Sequence, residues 1–357
     1  MGDGEEEVPT ILLRDKHIEY ILSLQDKQDS PEMLFADHRR LSGVYWAVSA
    51  LDLLGARDRL EKEAILDYVM SCYREEEGGF GGHVDQDAHI LYTLSALQVL
   101  VMYDALDRVD VDAVSRFVGS LQQPDGSFIG SPTSPEVDTR FSYCALLSVT
   151  LLNRRSVLDL SAAGAFLASC TNFDGGYGCI PDAESHAGQI FCVLAALALL
   201  GTPTPPAAAQ LCEWLASRQL PCGGLNGRPD KKEDVCYSWW VVASLSMLGR
   251  VGWIDATALQ RFVLGCQDPD AGGVADRVGD LPDVFHTFFG LAALDLLGVG
   301  GLGGSGGGVD PVFALPRQVV ARLPAARDLG WGEDGRAPES GSKAPTATAA
   351  VPPMPAA

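Results

Sequence analysis

The sequence is poor in positive charge. Its 26 lysine and arginine residues are outnumbered by 47 aspartate and glutamate residues, which gives a formal net charge of −21. A protein with this balance repels the backbone of DNA and RNA, so nucleic-acid binding is excluded as its general function. A site for an anionic substrate would need cations gathered locally against this acidic background.

Segments that would direct the chain to or across a membrane are also missing. The apolar run from Ile190 to Leu200 is shorter than the roughly 18 residues that a membrane-spanning helix needs. The acidic segment from Met1 to Glu7 has no apolar region typical of a signal peptide. The nine cysteines show no repeated short spacing, which indicates reduced thiols. These absences predict a cytoplasmic protein with no membrane span.

Glycine, by contrast, recurs at a fixed interval. The first glycines of successive glycine-rich turns are separated by 48, 49, 48 and 49 residues. A regular period of this length is the signature of a repeat of one supersecondary unit. The turns are Gly78-Gly79-Phe80, Asp125-Gly126-Ser127-Phe128, Gly175-Gly176-Tyr177, Cys222-Gly223-Gly224-Leu225 and Ala271-Gly272-Gly273-Val274.

Each repeat contains an amphipathic helix, the glycine-rich turn and a second, more apolar helix. Leu-Gly pairs such as Leu200-Gly201 follow the second helices and predict left-handed C-caps. Because these helices are apolar on every side, they are expected to be buried on every side. The pattern predicts an all-α fold, an α6–α6 barrel of about six helical hairpins, rather than an open solenoid. The expected inner helices are Tyr45 to Leu54, Ile90 to Leu100, Phe141 to Leu152, Ile190 to Leu200, Trp239 to Leu248 and Phe285 to Leu297.

The composition divides the chain into four parts. Residues 1–16 form an acidic N-terminal segment, and residues 17–298 form the barrel. A glycine-rich linker and closing segment follow at residues 299–324. Residues 325–357 are rich in proline, alanine, serine and threonine and are expected to be a disordered tail.

The stretch from Asn226 to Trp240 combines cations, a carboxylate, a thiol, a phenol and two indoles in fifteen residues. Within it, Cys236 lies 50 residues after His186 and 50 residues before His286, so the repeat places all three at the start of an inner helix. Asp234, Cys236 and His286 would give Zn²⁺ three protein ligands and one open position, the pattern of a catalytic site. The alternative is an N-terminal cap, a buried thiol and a core imidazole.

Cations and aromatic residues gather near the same barrel mouth. Arg228, Lys231 and Lys232, with His186 and Tyr237, could bind a phosphate or diphosphate through charge-assisted hydrogen bonds. A solvated loop would carry the same charges. The aromatic residues at the starts of the inner helices fit either core packing or an apolar pocket for a long hydrocarbon.

Several long motifs resemble the β subunits of protein prenyltransferases, most closely those of the type II (Rab geranylgeranyl) branch. The similarity extends from about His17 to Pro316. Paired Trp239-Trp240 and the run Ser185 to Gln189 favour the Rab branch over the farnesyl and type I branches. The motifs are Leu41-Ser42-Gly43-Val44-Tyr45-Trp46, Leu91-Tyr92-Thr93-Leu94-Ser95-Ala96, Asp138-Thr139-Arg140-Phe141-Ser142, Ser185-His186-Ala187-Gly188-Gln189, Asn226-Gly227-Arg228-Pro229, Asp234-Val235-Cys236-Tyr237-Ser238-Trp239-Trp240 and Phe285-His286-Thr287-Phe288-Phe289-Gly290.

This resemblance implies three groups of site residues. Zinc, one ion per subunit, would be held by Asp234, Cys236 and His286. Tyr143 departs from the family pattern, since relatives often carry Phe there, and a small Ser42 would leave depth for a twenty-carbon chain. Lys232 and Glu233 receive no role. The diphosphate would be bound by His186, Arg228, Lys231 and Tyr237 with Arg140 beside them, and the lipid by Ser42, Trp46, Tyr143, Trp239 and Trp240.

The resemblance also implies a reaction and a set of partners. A C-terminal cysteine thiol of a protein substrate would attack geranylgeranyl diphosphate, with Mg²⁺ assisting the diphosphate and Tyr237 stabilising the leaving group. The subunit would work in a heterodimer with an α subunit, on Rab GTPases presented by a Rab escort protein. Farnesyl or type I transfer to CaaX proteins, and a helical-repeat binding module with structural zinc, are the alternatives. A triterpene cyclase would need a DxDD-type acid, which the sequence lacks.

Overall fold

The computed structural model describes residues 11–27, 37–202, 205–304 and 307–337. Helices dominate these ranges, and the few strands form two short antiparallel hairpins: β1 (Tyr73–Arg74) with β2 (Gly79–Phe80), and β3 (Ile129–Ser131) with β4 (Ser134–Val137). The α-helices are α1 (Arg14–Ser23), α2 (Arg40–Leu53), α3 (Lys62–Ser71), α4 (Ile90–Met102), α5 (Val111–Ser120), α6 (Thr139–Leu151), α7 (Leu160–Ser169), α8 (Ala187–Leu200), α9 (Ala208–Ala216), α10 (Cys236–Met247), α11 (Ala256–Gly265), α12 (Val284–Leu296), α13 (Arg317–Val320) and α14 (Pro324–Asp328).

Six of these helices form a closed inner ring. Helices α2, α4, α6, α8, α10 and α12 each pack against the next, and α12 returns to pack against α2. Helices α1, α3, α5, α7, α9 and α11 form the outer layer, and each contacts the inner helix that follows it. The predicted α6–α6 barrel is therefore confirmed.

Hydrophobicity explains why the inner helices are inside. Helix α8 contains no charged residue, and nine of its residues, from Ala187 to Leu199, are buried on all sides. The helix ends at Gly201, whose φ of 70° gives the predicted left-handed cap. Helix α2 begins at Arg40, five residues before the predicted start. Arg40, Ser42 and Gly43 interrupt the apolar pattern in its first turn, so the predicted helix begins late.

Each glycine-rich turn joins the outer helix of a hairpin to its inner helix. Gly126 and Gly223 have φ values of 88° and 91°, a region that other residues rarely adopt. A Cβ atom on Gly126 would overlap the carbonyl oxygen of Ala162, and one on Gly223 would overlap that of Ala258. Each turn therefore packs directly on the first turn of the following outer helix, which fixes the repeat length.

The C-terminal region differs from its prediction. Helix α14 begins at Pro324, and Ala325, Ala326 and Trp331 are buried, so the prediction of disorder is wrong for residues 325–337. The prediction from composition was wrong there because one buried tryptophan and two buried alanines anchor a segment that is otherwise polar. The rest of the predicted tail, like residues 1–10, lies outside the described residues.

Among the described residues, no helix combines the length and the apolar character that crossing a bilayer requires.

Candidate metal centre and diphosphate pocket

The N-terminal ends of the inner helices meet at one rim of the barrel. At five of these ends a side chain accepts a hydrogen bond from a backbone N–H in the first turn. These acceptors are His89, Asp138, His186, Asp234 and Asp283. The repeat thus concentrates polar side chains at one mouth of an apolar barrel, as its spacing predicted.

The donor atoms of Asp234, Cys236 and His286 lie together at this rim. All of them are within 4.8 Å of one another, and His286 Nε2 is 3.3 Å from Asp234 Oδ1. Asp234 precedes helix α10, and its Oδ1 also accepts the Cys236 N–H at 2.8 Å. Capping the helix and facing the metal position are therefore compatible roles for this carboxylate.

His286 is oriented by a carboxylate outside the donor set. Its Nδ1 donates to Asp283 Oδ2 at 2.7 Å, so Nε2 is the atom turned toward Asp234 and Cys236. Burial lowers the pKa of His286, but hydrogen bonds to Asp234 and Asp283 outweigh it and raise that pKa to about 9. Burial also raises the pKa of Asp234, and the contacts with His286 and Cys236 reverse this to a lowered pKa.

The electrostatics of this group favour a cation. Burial, reinforced by the neighbouring Asp234 carboxylate, raises the pKa of the Cys236 thiol far above its usual range. A divalent metal would supply the positive charge that stabilises a thiolate there. Thiolate, imidazole and carboxylate are the ligand types of zinc, and three ligands leave a fourth position for a substrate. The donor chemistry therefore fits Zn²⁺.

A polar pocket of about 300 Å³ adjoins the donor group. It brings together four of the residues that the resemblance assigns to the diphosphate. It also includes Lys232 and Glu233, to which the resemblance assigns no role. Arg140 is not among its lining residues. The pocket is lined by His186, Arg228, Lys231, Lys232, Glu233, Asp234, Tyr237, Asp276 and Arg277.

The hydrogen bonds of His186 leave the Tyr237 proton available. His186 Nδ1 accepts the Gly188 N–H at 3.1 Å, so the neutral ring carries its proton on Nε2. Burial, with help from Arg228, lowers the pKa of His186 and favours this neutral form. Its Nε2 lies 3.2 Å from the Tyr237 oxygen and donates to it. The Tyr237 O–H, whose pKa burial raises to about 12, can then donate into the pocket.

The loop that carries Arg228 and Lys231 is fixed by buried contacts. Asn226, only 3% exposed, donates from Nδ2 to the Lys231 carbonyl at 2.8 Å. The Gly227 carbonyl accepts the Ala187 N–H at 2.8 Å, which ties the loop to the start of α8. A Cβ atom at position 227 would overlap the Tyr237 ring, so only glycine permits this approach.

Both arginines predicted for the diphosphate site, Arg140 and Arg228, have carboxylate partners. Arg228 Nη1 forms an ion pair with Glu184, and both side chains are largely exposed. Arg140 Nη2 bonds to the buried Asp138 at 2.8 Å. An incoming diphosphate would compete with Glu184 for Arg228, whereas Asp138 holds Arg140 in place.

Aromatic side chains line the inner wall next to the rim. Trp240 packs against Phe191 and Phe289, with centroids 5.0 and 4.5 Å away. Phe285 links Phe289 to Trp46 at 4.8 and 5.0 Å. Trp46, Trp240 and Phe285 are partly exposed, so this aromatic wall could contact a lipid.

The remaining predicted lipid residues, Ser42, Tyr143 and Trp239, are buried. Ser42 Oγ is 2.9 Å from Ser95 Oγ, and Tyr143 donates its hydroxyl to the Val312 carbonyl at 2.8 Å. Trp239 is completely buried and packs behind Phe191 and Phe289. The two adjacent indoles therefore differ in exposure, since Trp239 is fully buried and Trp240 is partly exposed.

The sequence reasoning missed four residues near the site. Asp283 lies three positions before His286, where an N-cap aspartate is common, so capping rules could have found it. Glu184 and Asp276 carry no such signal, because only the folded loops bring them to the pocket. Phe191 reads as one more apolar residue of an inner helix.

Comparison with known proteins places the chain in a family. The family model described as the prenyltransferase alpha-alpha toroid domain matches residues 12–315. The chain is 58% identical over 312 residues to geranylgeranyl transferase type-2 subunit beta 1 of Arabidopsis thaliana, covering 87% of this chain and 95% of that protein. It is 44% identical over 317 residues to the geranylgeranyl transferase type-2 subunit beta of Saccharomyces cerevisiae, covering 87% and 96%.

A solved structure agrees on the architecture. The Candida albicans protein geranylgeranyltransferase-I complexed with GGPP superposes with a TM-score of 0.76 and covers 89% of this chain and 99% of its own. At 21% identity this likeness supports the fold alone. Taken with the sequence relatives, it shows that the chain belongs to the prenyltransferase α-α toroid family, among the β subunits of type-2 geranylgeranyl transferases.

Proposed function

We propose that this chain is the catalytic β subunit of a Rab-type protein geranylgeranyltransferase. It would transfer a geranylgeranyl group from geranylgeranyl diphosphate to C-terminal cysteine thiols of Rab GTPases. One observation carries the proposal: a zinc-type donor group, Asp234, Cys236 and His286, adjoins a cation-lined pocket and an aromatic wall. A thiol, a diphosphate and a hydrocarbon chain therefore find complementary surfaces at one rim.

The donor group defines where the acceptor thiol binds. Asp234, Cys236 and His286 would hold Zn²⁺, which supplies stabilisation of the acceptor thiolate near neutral pH. Asp283 keeps His286 Nε2 aimed at this position through its hydrogen bond to Nδ1. Cys236 serves as a ligand in this arrangement and is not the nucleophile.

The pocket residues act on the leaving group. As the C1–O bond of the prenyl diphosphate breaks, negative charge accumulates on the diphosphate oxygens, while the sulfur–carbon bond forms at C1. Arg228 and Lys231 would stabilise that charge, and the Tyr237 O–H, freed by the His186 contact, would donate a hydrogen bond to it. Diphosphate is released and the acceptor becomes a thioether.

Magnesium would be the second cation of the reaction. Asp276 lines the same pocket, and its carboxylate is not part of the zinc-type donor group. Carboxylate oxygen and phosphate oxygen are the ligands that Mg²⁺ combines in phosphate-transfer sites. We place Mg²⁺ assistance to the diphosphate at Asp276, where Arg277 now holds the carboxylate at 2.9 Å.

The partners follow from the family. Relatives with this architecture are described as β subunits, so we propose a heterodimer with a prenyltransferase α subunit. A Rab escort protein would present the Rab substrate, and the reaction would take place in the cytoplasm. All nine cysteines are free in the structure, which is consistent with a reducing compartment.

The proposal is tested by measuring which prenyl donor and which protein acceptor the enzyme uses. The chain is co-expressed with an α subunit, and transfer from farnesyl and geranylgeranyl diphosphate is measured on Rab bound to escort protein and on CaaX peptides. The proposal predicts transfer from geranylgeranyl diphosphate to the Rab complex. Transfer to CaaX peptides alone would indicate a type I or farnesyl enzyme. No transfer, with unfolding on chelation, would indicate a binding module with structural zinc.

A further inference from the structure

A short segment near the C-terminus enters the barrel and bonds to its inner wall. Residues 309–315, here named the plug, offer three consecutive carbonyl oxygens to side chains of three inner helices. Tyr143 donates to Val312 O at 2.8 Å, Gln98 to Phe313 O at 3.1 Å and Tyr45 to Ala314 O at 2.6 Å. Helices α2, α4 and α6 therefore all hydrogen-bond to the plug at one level of the barrel.

This level lies about one helical turn below Ser42, a residue that the family resemblance assigns to the lipid. Ser42 and Ser95 bond to each other across α2 and α4 at 2.9 Å. Tyr45 and Gln98 each follow three residues later on the same helices, about one helical turn or 5 Å farther from the rim. A hydrocarbon chain entering from the rim and passing the Ser42–Ser95 layer would therefore meet the plug next.

The plug is itself held by a residue far along the chain. Asp310, which is fully buried, accepts the Val312 and Phe313 N–H groups at 2.9 Å each. Its other oxygen, Oδ2, accepts Trp331 Nε1–H at 2.9 Å, and the Trp331 ring packs edge-on against Phe313 with centroids 5.4 Å apart. Residues 324–331, here named the strap, thus close over the plug. The family match ends at residue 315, so the strap lies beyond it.

We propose that Trp331 is a positioning residue that fixes the plug as the floor of the lipid chamber, and so limits the isoprenoid length that the enzyme accepts. The inference rests on the proposed function, because it requires a lipid inside the barrel. The plug and the strap, which lie outside the catalytic rim, would thereby contribute to the choice of isoprenoid.

The reason lies in the chemistry of a buried carboxylate. Asp310 is fully buried, so removing the indole N–H leaves Oδ2 without its hydrogen-bond donor in the interior. Movement of the carboxylate toward solvent relieves this loss, and the Val312 and Phe313 backbone bonded to Asp310 moves with it. The plug is then held less firmly, while the metal ligands are unchanged.

The test compares donors of three lengths in the full heterodimer. The ratios of kcat/KM are measured for farnesyl (C15), geranylgeranyl (C20) and geranylfarnesyl (C25) diphosphates with one Rab acceptor complex. Trp331→Phe keeps an aromatic ring beside Phe313 but removes the N–H donor together with part of the ring. Tyr45→Phe removes only the hydroxyl donated to the plug. Trp253→Phe, at a tryptophan that is 44% exposed on the outer surface, is the matched control.

We expect Trp331→Phe and Tyr45→Phe to raise the C25-to-C20 ratio about fivefold or more, because hydrophobic pockets discriminate strongly by length. The control should keep the wild-type ratio. An unchanged ratio in both variants, even with a lowered Tm, would overturn the inference and leave a purely structural strap. If Trp331→Phe does not fold, the ratio of Tyr45→Phe decides. A wild-type enzyme that transfers no isoprenoid would overturn the proposed function and this inference together.

Discussion

Replacing Asp283 by Asn should weaken zinc binding without disturbing the fold. The Asp283 carboxylate makes two contacts with His286: Oδ1 accepts the backbone N–H at 2.9 Å and Oδ2 accepts Nδ1–H at 2.7 Å. Asparagine can keep the first contact, since it is an equally good cap. The other amide atom of asparagine is an NH2 donor and cannot accept the Nδ1–H, so the second contact is lost, the imidazole is less basic and its orientation is less fixed.

The size of this effect follows from the position of Asp283 behind a metal ligand. Loss of such a partner typically lowers metal affinity about 10- to 100-fold, which is about 1.4 to 2.7 kcal/mol. Zinc affinity is measured by competition with a chromophoric chelator, and stability by thermal unfolding of the metal-free protein. The expected result is a weaker Kd for zinc with a nearly unchanged Tm.

Asp255→Asn provides the matched control. Asp255 caps α11 through a hydrogen bond from the Ala258 N–H at 2.9 Å, and it lies outside the donor group. It should leave zinc affinity at the wild-type value. Equal zinc affinities for Asp283→Asn and the wild type would refute the reasoning. So would an equal loss in both variants, because the effect would then come from helix capping.

Four further substitutions probe the rim and the core next to it. Glu184→Gln removes the competitor for Arg228, so prenyl diphosphate should bind about two- to fivefold tighter at low salt, a range set by exposed ion pairs; weaker binding in a fluorescence titration would contradict this. Trp239→Ala should destabilise the fold by about 3 to 5 kcal/mol in denaturant unfolding, whereas Trp240→Ala should mainly weaken lipid binding; equal unfolding losses would remove the distinction. Burial and Arg140 lower the pKa of His89 to about 4. Between pH 6.5 and about 4, His89 therefore binds a proton in the unfolded chain but not in the folded chain, so stability falls as pH decreases. His89→Asn should make the Tm depend less on pH in this range. An unchanged pH dependence of the Tm would show that it comes from other groups.

The repeat was the most informative feature of the sequence. Spacings of 50 residues placed His186, Cys236 and His286 at equivalent helix starts, and the structure brings all three to one rim. This worked because a closed ring of equal hairpins converts a sequence interval directly into a spatial one. The role of Cys236 and His286 as zinc ligands stays a prediction, supported by the proximity of their donor atoms.

Features that depend on the direction of a side chain could not be predicted from the repeat spacing. Trp239 and Trp240 are adjacent in sequence, but one helical residue rotates the side chain by about 100°, which leaves one indole fully buried and the other partly exposed. Trp331 looked like part of a disordered tail because its neighbours are alanine, glycine and charged residues. Trp331 is held by a hydrogen bond to Asp310, which lies 21 residues earlier, and the local sequence does not indicate this contact.

Thioether formation by a Cys236→Ser heterodimer tests the central claim most directly. Labelled geranylgeranyl diphosphate is bound to wild type and variant at equal occupancy, and a Rab acceptor complex is added for a single turnover. The account predicts that the variant binds the lipid diphosphate within about twofold of the wild type and forms no thioether, because the lost interaction acts on the thiol alone. Transfer at the wild-type rate by Cys236→Ser would contradict the account.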